Sequence, residues 1–97
     1  TTDCEYIHMA TAFDEQHKNK QYEIYPNPVA SVLSIKNESP VKMKTIELVS
    51  LYGNVVYKLT SNKSAEEIDV RGLAKGCYIL RIVNANNAVH YEKLMIQ

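Results

Sequence analysis

IDVRGLAKGCYILRI, residues 68–82, decides how this chain folds. Within it Leu73, Gly76 and Tyr78 make the spacing L-x-x-G-x-Y, just ahead of an alternating apolar run. That spacing is the sequence form of a tyrosine corner. In a sandwich of two sheets, a Tyr two residues past a turn Gly buries its ring where the chain crosses between sheets, and its hydroxyl bonds backbone a few residues upstream. Gly76 supplies the turn and Leu73 plugs the end of the core. Ile68 and Val70 then belong to the strand before the crossover, and Tyr78, Leu80 and Ile82 form the inward side of the strand after it.

Working outward, short apolar runs recur at regular intervals from Tyr22 onward. Residues 22–25 make a first strand, closed by Pro26-Asn27-Pro28, which removes two backbone donors and forces an extended, then turning path. Residues 31–36 follow with Leu33 and Ile35 on one face, and a loop over 37–42 contains Pro40. Residues 45–52 read as a long strand with Ile46 and Leu48 inward. Val49 and Leu51 on its other side predict a central strand partly covered on both faces. Gly53-Asn54 carries hairpin chemistry and leads into a strand over 55–60. After the polar turn 61–64 come the strand 65–70, the corner, the strand 77–84 and a second hairpin turn at Asn84-Ala85-Asn86-Asn87. The last strand, 88–96, switches apolar phase from Val89 and Tyr91 to Leu94 and Ile96, which calls for a bulge near Glu92 or Lys93 or for burial on both faces. Seven strands at such intervals predict an all-β, two-sheet antiparallel sandwich.

Ninety-seven residues allow one domain, which buries only about 60 to 65% of the surface of its unfolded chain. Seven Tyr, one Phe and no Trp suit a pleated surface, where each ring packs while its hydroxyl stays wet. Formal charge is zero overall but uneven. Residues 1–24 hold five acids and two lysines, net −3, while residues 25–97 hold six acids and nine basic residues, net +3. Those basic residues are scattered singly, without the stripe that phosphate-backbone binding requires, so no nucleic-acid partner is expected. No apolar stretch reaches the roughly 18 to 20 residues of a membrane span, and the N-terminus lacks a charged-then-apolar signal pattern.

Catalytic constellations are missing as well: there is no Gly-rich phosphate loop, no G-x-S-x-G elbow and no H-E-x-x-H. Glu66, Glu67 and Asp69 invite comparison with an acidic pair or calcium site, but carboxylates on an exposed strand are ordinarily just solvated. His90 reads as a surface or hairpin histidine rather than a base. Cys4 and Cys77 are too few for a disulfide scaffold and lack metal-site spacing. Cys77 suits a small strand residue in a Val-like position, and whether the two are bridged stays open. Residues 1–21 read as a lead-in outside the core with an ambiguous signal: Ile7, Met9 and Phe13 alternate like a strand, the Ala-rich interior and the polar run DEQHKNKQ, residues 14–21, permit a short helix, and that polar run, having no apolar face, suits a linker.

Tyr25-Pro26-Asn27-Pro28, then Leu33 and Ile35, then Ile46, Leu48, Gly53 and Val56, then residues 68–82, then Lys93-Leu94-Met95-Ile96 at the end form an ordered set. The set resembles the C-terminal sorting domain of cargo proteins of the type IX (Por) secretion system. The resemblance spans residues 22–97 and implies a seven-stranded antiparallel Ig-like β-sandwich there, behind a linker or tail, residues 1–21, from an upstream cargo. It implies no enzyme, no cofactor and no metal. The implied role is a secretion signal that directs the cargo through the type IX translocon across the outer membrane. Removal by a surface sortase, which can join the cargo to an anionic lipopolysaccharide, would follow. The implied partners are therefore translocon and sortase proteins and the cargo domain, and the implied destination, reached through the periplasm, is secretion or the cell surface.

The family's motif positions fall on Tyr25, Pro26, Asn27, Pro28, Gly53, Leu73, Gly76 and Tyr78. Its signal-recognition candidates fall on Lys93, Leu94, Met95, Ile96 and Gln97. Gln97 stands where a basic residue often ends such domains, and Asn54 follows Gly53 where Lys or Arg is common, which puts the weight on the terminal strand rather than on terminal charge. A strand at a sheet edge would offer unpaired backbone groups for a partner to extend. The competing reading is an Ig-like accessory module that binds carbohydrate or another surface protein.

Overall fold

A computed structural model describes residues 21–97 of the chain. The expectation that residues 1–21 lie outside the core therefore falls almost wholly outside the described residues. Seven strands follow one another: β1 (Tyr22–Tyr25), β2 (Val32–Asn37), β3 (Met43–Ser50), β4 (Val55–Thr60), β5 (Ala65–Asp69), β6 (Gly76–Asn84) and β7 (Val89–Ile96). They form two antiparallel sheets, a three-stranded one in the order β1-β2-β5 and a four-stranded one in the order β4-β3-β6-β7. The chain changes sheet after β2, after β4 and after β5.

The core lies between the sheets and follows the alternation of each strand. Leu33 and Ile35 from β2, Ile46 and Leu48 from β3, Ile68 from β5, Leu80 and Ile82 from β6, and Leu94 and Ile96 from β7 are all fully or almost fully buried. Cross-strand register brings them together, with Leu33 opposite Ile68, Ile46 opposite Ile82 and Leu48 opposite Leu80. Each such side chain contributes about 1.5–3 kcal/mol on burial, which is what a domain this small has to set against chain entropy.

Two core residues fall where the sequence pattern predicts loop. Met43 opens β3 opposite Asn84 and is buried, so the strand begins two residues before Thr45. Val29, in the loop after Pro28, is wholly buried and bridges to Ile96. At its other end β3 stops at Ser50, so Leu51 and Tyr52 are exposed turn residues rather than strand. The Ser50 hydroxyl accepts from the backbone N–H groups of Tyr52 and Asn54, and Gly53 takes φ +88°, which closes the hairpin into β4. β3 is nonetheless central, flanked by β4 and β6.

The phase switch of the last strand is resolved without a bulge. β7 keeps one continuous register against β6, from Gly76 opposite Ile96 to Val83 opposite Val89. Leu94 and Ile96 face the core, while Val89 and Tyr91 lie half-buried on the opposite, outer face of the sheet. The turn before β7 is an Asn structure: the side-chain oxygen of Asn84 accepts from the N–H groups of Asn86 and Ala88, and Asn87 sits at φ 66°.

Candidate recognition surface

The corner between the sheets has the geometry its spacing predicts. Gly76 takes φ +145° at the start of β6, and Tyr78 two residues on is buried with its hydroxyl donating to the carbonyl of Ala74. Leu73 packs half-buried against the end of the core, and its N–H bonds the Val70 carbonyl at 3.0 Å. Gly76 and Leu73 thus aim the Tyr78 ring, which pins the passage from β5 to β6.

The Tyr25-Pro26-Asn27-Pro28 motif starts at the last residue of β1 and runs into the loop to β2, with both X-Pro peptide bonds cis. The loop leaves its own sheet and runs along the outer edge of β7 in the other one. There the Asn27 side-chain amide donates to the carbonyl of Lys93 (3.0 Å), and its oxygen accepts from the N–H of Met95 (3.1 Å). Val29 continues the pairing, donating its N–H to the Met95 carbonyl and accepting from the Gln97 N–H, each at 2.8 Å. Prolines at 26 and 28 have no N–H, and the bonds this loop donates to β7 come from the Asn27 side-chain amide and the Val29 backbone.

This changes the expectation for the terminal strand. β7 does lie at a sheet edge, but the carbonyls of Lys93 and Met95 and the N–H groups of Met95 and Gln97 are bonded from within the domain. Strand addition along that half of β7 would have to displace the Asn27 loop. Of the five residues expected to carry the signal, Leu94 and Ile96 are core, Lys93 and Met95 lie half-buried on the outer face, and Gln97 is exposed.

That outer face is ordered by register. Glu47 on β3 stands opposite Arg81 on β6 and Lys58 on β4, with ion pairs at 2.9 and 3.9 Å. The bond from Arg81 to Tyr91, and then that to Glu47, raises the pKa of the guanidinium above its ordinary value, so Arg81 stays charged at any physiological pH. One row along, Val49, Ile79 and Lys93 lie side by side, and beyond them Cys77 stands opposite Met95. Val49, Leu51, Ile79, Arg81 and Tyr91 line a shallow groove there.

At one end the groove adjoins the tip of the β3–β4 hairpin, where Leu51, Tyr52, Val55 and Val56 face solvent, the largest exposed apolar group among the described residues. Nothing in the sequence pattern distinguishes it, because the same residues read as ordinary strand positions.

The acidic residues of β5 do not assemble. Glu66 accepts from the hydroxyl of Ser61 at 2.7 Å, Asp69 pairs with Arg71 at 2.7 Å, and Glu67 points to solvent. No group of His, Cys, Asp and Glu among the described residues could hold a metal ion. His90 is half-buried beside Glu92 (3.2 Å), its ring 5.1 Å from that of Tyr22, and burial raises the Tyr22 phenol pKa. Cys77 is buried and disulfide-bonded, which corrects the reading of a simple apolar filler; the chain's other cysteine, Cys4, lies outside the described residues.

Two antiparallel sheets joined by a tyrosine corner define an Ig-like β-sandwich. The chain belongs to the secretion system C-terminal sorting domain family, whose model matches residues 23–97. Among solved structures it is similar to a DUF3244 family protein with an immunoglobulin-like β-sandwich fold from Bacteroides vulgatus. That match has a TM-score of 0.69 at 19% identity and covers 82% of this chain and 88% of that one. It is also similar to part of PorZ, a surface component of the type IX secretion system of Porphyromonas gingivalis, with a TM-score of 0.65 at 13% identity. That match covers 90% of this chain but only 12% of PorZ. At these identities both likenesses show the fold alone. A comparison with curated proteins found no match.

Proposed function

We propose that residues 22–97 are a secretion signal that sends an upstream cargo through the type IX translocon, and that residues 1–21 are the linker to that cargo. Membership of the sorting-domain family carries the reading. On this reading the domain acts as an address rather than a catalyst. Translocon and sortase proteins are its partners, the cell surface or the medium is the cargo's destination, and a sortase cuts ahead of the tag.

On this reading a translocon meets only part of the terminal run. Leu94 and Ile96 hold the sandwich together and are inaccessible while it stays folded, so the terminal signal consists of Lys93, Met95 and Gln97 set in place by Asn27 and Val29. The Tyr25–Pro28 loop and the terminal run are then two halves of one surface. Replacing Lys93 and Gln97 together by Glu in a fused reporter tests this, with thermal stability and export measured in parallel. Loss of export at unchanged stability supports it, whereas normal export means that these two side chains are not what is read.

A further inference from the structure

Each sheet of the sandwich has two edges, and strands at three of the four carry devices that discourage pairing with another chain. β1 is four residues long and runs into Pro26; β5 carries three acids in five residues, Glu66, Glu67 and Asp69; the end of β7 is closed by Asn27 and Val29. β4, at the remaining edge, has none of these. Its six residues, VVYKLT, are rich in β-branched and aromatic side chains, hold no proline and carry one charge, Lys58. That charge is weakly tied: the ammonium sits 3.9 Å from Glu47, whose other carboxylate oxygen is already bonded by Arg81 at 2.9 Å.

Register fixes which backbone groups of β4 face outward. The Ser61 N–H bonds the carbonyl of Lys44 at 2.9 Å, in line with Thr45 opposite Thr60 and Ile46 opposite Leu59. Because an antiparallel ladder alternates, Tyr57 and Leu59 turn their N–H and C=O groups toward β3, whereas Lys58 and Thr60 turn theirs away from it. Among the described residues nothing bonds those outward groups. Side chains alternate as well: Tyr57 and Leu59 pack half-buried against the rim of the core, while Lys58 and Thr60 are exposed on the outer face. The inward residues of β3 and β6, Ile46, Leu48, Leu80 and Ile82, are by contrast fully buried, so the core is incompletely covered at β4.

We propose that the outer edge of β4 is a strand-addition site for an extended segment of a partner protein, one that alternates apolar residues with a carboxylate. An added antiparallel strand bonds the N–H and C=O groups of Lys58 and Thr60, sets its apolar residues beside Tyr57 and Leu59, and presents its carboxylate opposite Lys58. Charge selects this partner. A second copy of β4 offers no carboxylate, since Lys58 is its only charge, and a basic segment would meet Lys58 and Arg81 on the same face. The site lies at the opposite edge of the sheet from β7 and does not rest on the sorting reading.

The test uses the full chain and a synthetic peptide, acetyl-Thr-Val-Glu-Val-Thr-Val-amide, with the same peptide carrying Lys in place of Glu as control. In the free chain the amides of Lys58 and Thr60 should exchange fast with deuterium while those of Tyr57 and Leu59 are protected. Adding the Glu peptide should slow exchange at Lys58 and Thr60. Lys58→Glu should weaken the Glu peptide about two- to fivefold and strengthen the Lys peptide by a similar factor. Thr60→Pro removes an outward N–H without touching a ladder bond, and should abolish binding of the Glu peptide. Were that variant to unfold, the reversal by Lys58→Glu, made at an exposed side chain, still decides. Lys58 and Thr60 amides already protected in the free chain, by pairing with a second copy at rising concentration or otherwise, overturn the proposal. So does a Glu peptide that leaves their exchange unchanged, that binds equally well before and after Lys58→Glu, or that still binds a folded Thr60→Pro chain.

Discussion

Asn27 and Met95, 68 residues apart in sequence, are joined by the Asn27 side-chain oxygen accepting the Met95 N–H at 3.1 Å. With the return bond to the Lys93 carbonyl, one carboxamide stands in for a strand partner at the edge of β7. The Tyr-Pro-Asn-Pro motif therefore has a structural task inside the domain: it finishes the sheet edge that the terminal strand would otherwise leave open.

Asn27→Ala removes both bonds. At about 0.5–1.5 kcal/mol each, the loss should be about 1–3 kcal/mol by denaturant unfolding, with faster hydrogen exchange at Met95 and little change elsewhere. Asn27→Asp keeps the acceptor for Met95 but loses the donor to Lys93, and should fall between wild type and Ala. Equal exchange rates at Met95 in all three proteins would show that this tie contributes nothing.

Tyr78→Phe keeps the buried ring and deletes the bond to the Ala74 carbonyl. Stability should drop by about 0.5–1.5 kcal/mol at an unchanged denaturant slope. A neutral substitution would mean that the corner is held by packing of the ring and Leu73 alone.

Leu94→Ala, by contrast, opens a cavity in the core, and about 2–5 kcal/mol should be lost. In a domain this small that is a large share of the total, so the variant should unfold at markedly lower denaturant, or be unfolded outright. A loss below about 1 kcal/mol would contradict its placement in the core.

Strands were legible wherever apolar residues alternate between clear turn signals, as in Val55–Thr60 and around the corner. Met43 was not, because a single apolar residue between two lysines gives no period to detect. Leu51 and Tyr52 mislead for the opposite reason: they continue the alternation of β3 past the point where the Ser50 hydroxyl and Gly53 turn the chain. The bonds between Asn27 and β7 join two motifs that read separately, and a loop-to-strand contact at such separation leaves no periodic trace. Nor does cysteine spacing reveal that Cys77 is bonded. The family's blocks were legible as an order, but that two of them form one surface is a property of the fold alone.

Asp69 offers a check on the surface electrostatics. Its carboxylate accepts from the Arg71 guanidinium at 2.7 and 3.0 Å and from the Arg71 backbone N–H at 3.0 Å, side-chain bonding being the larger influence, and its pKa is held down to about 2. Because the folded value lies below the ordinary carboxylate value near ~3.9, any stability from this pair is present above that value. It is lost as pH falls from there through about 2. Both groups are exposed, so the readout is the titration itself rather than global unfolding. NMR of the Asp69 carboxyl should show the low midpoint, and Arg71→Gln should move it back up; an ordinary midpoint in the wild type would contradict the bonding described.

The most direct test of the account is to place residues 1–97 at the C-terminus of an inert, folded reporter with a removable signal peptide, in a bacterium that has the type IX system. The reporter should appear at the cell surface or in the medium, and should accumulate in the periplasm when the translocon is deleted. Periplasmic retention in the intact host, with the sandwich shown to be folded there, would contradict the claim that this domain is a sorting signal.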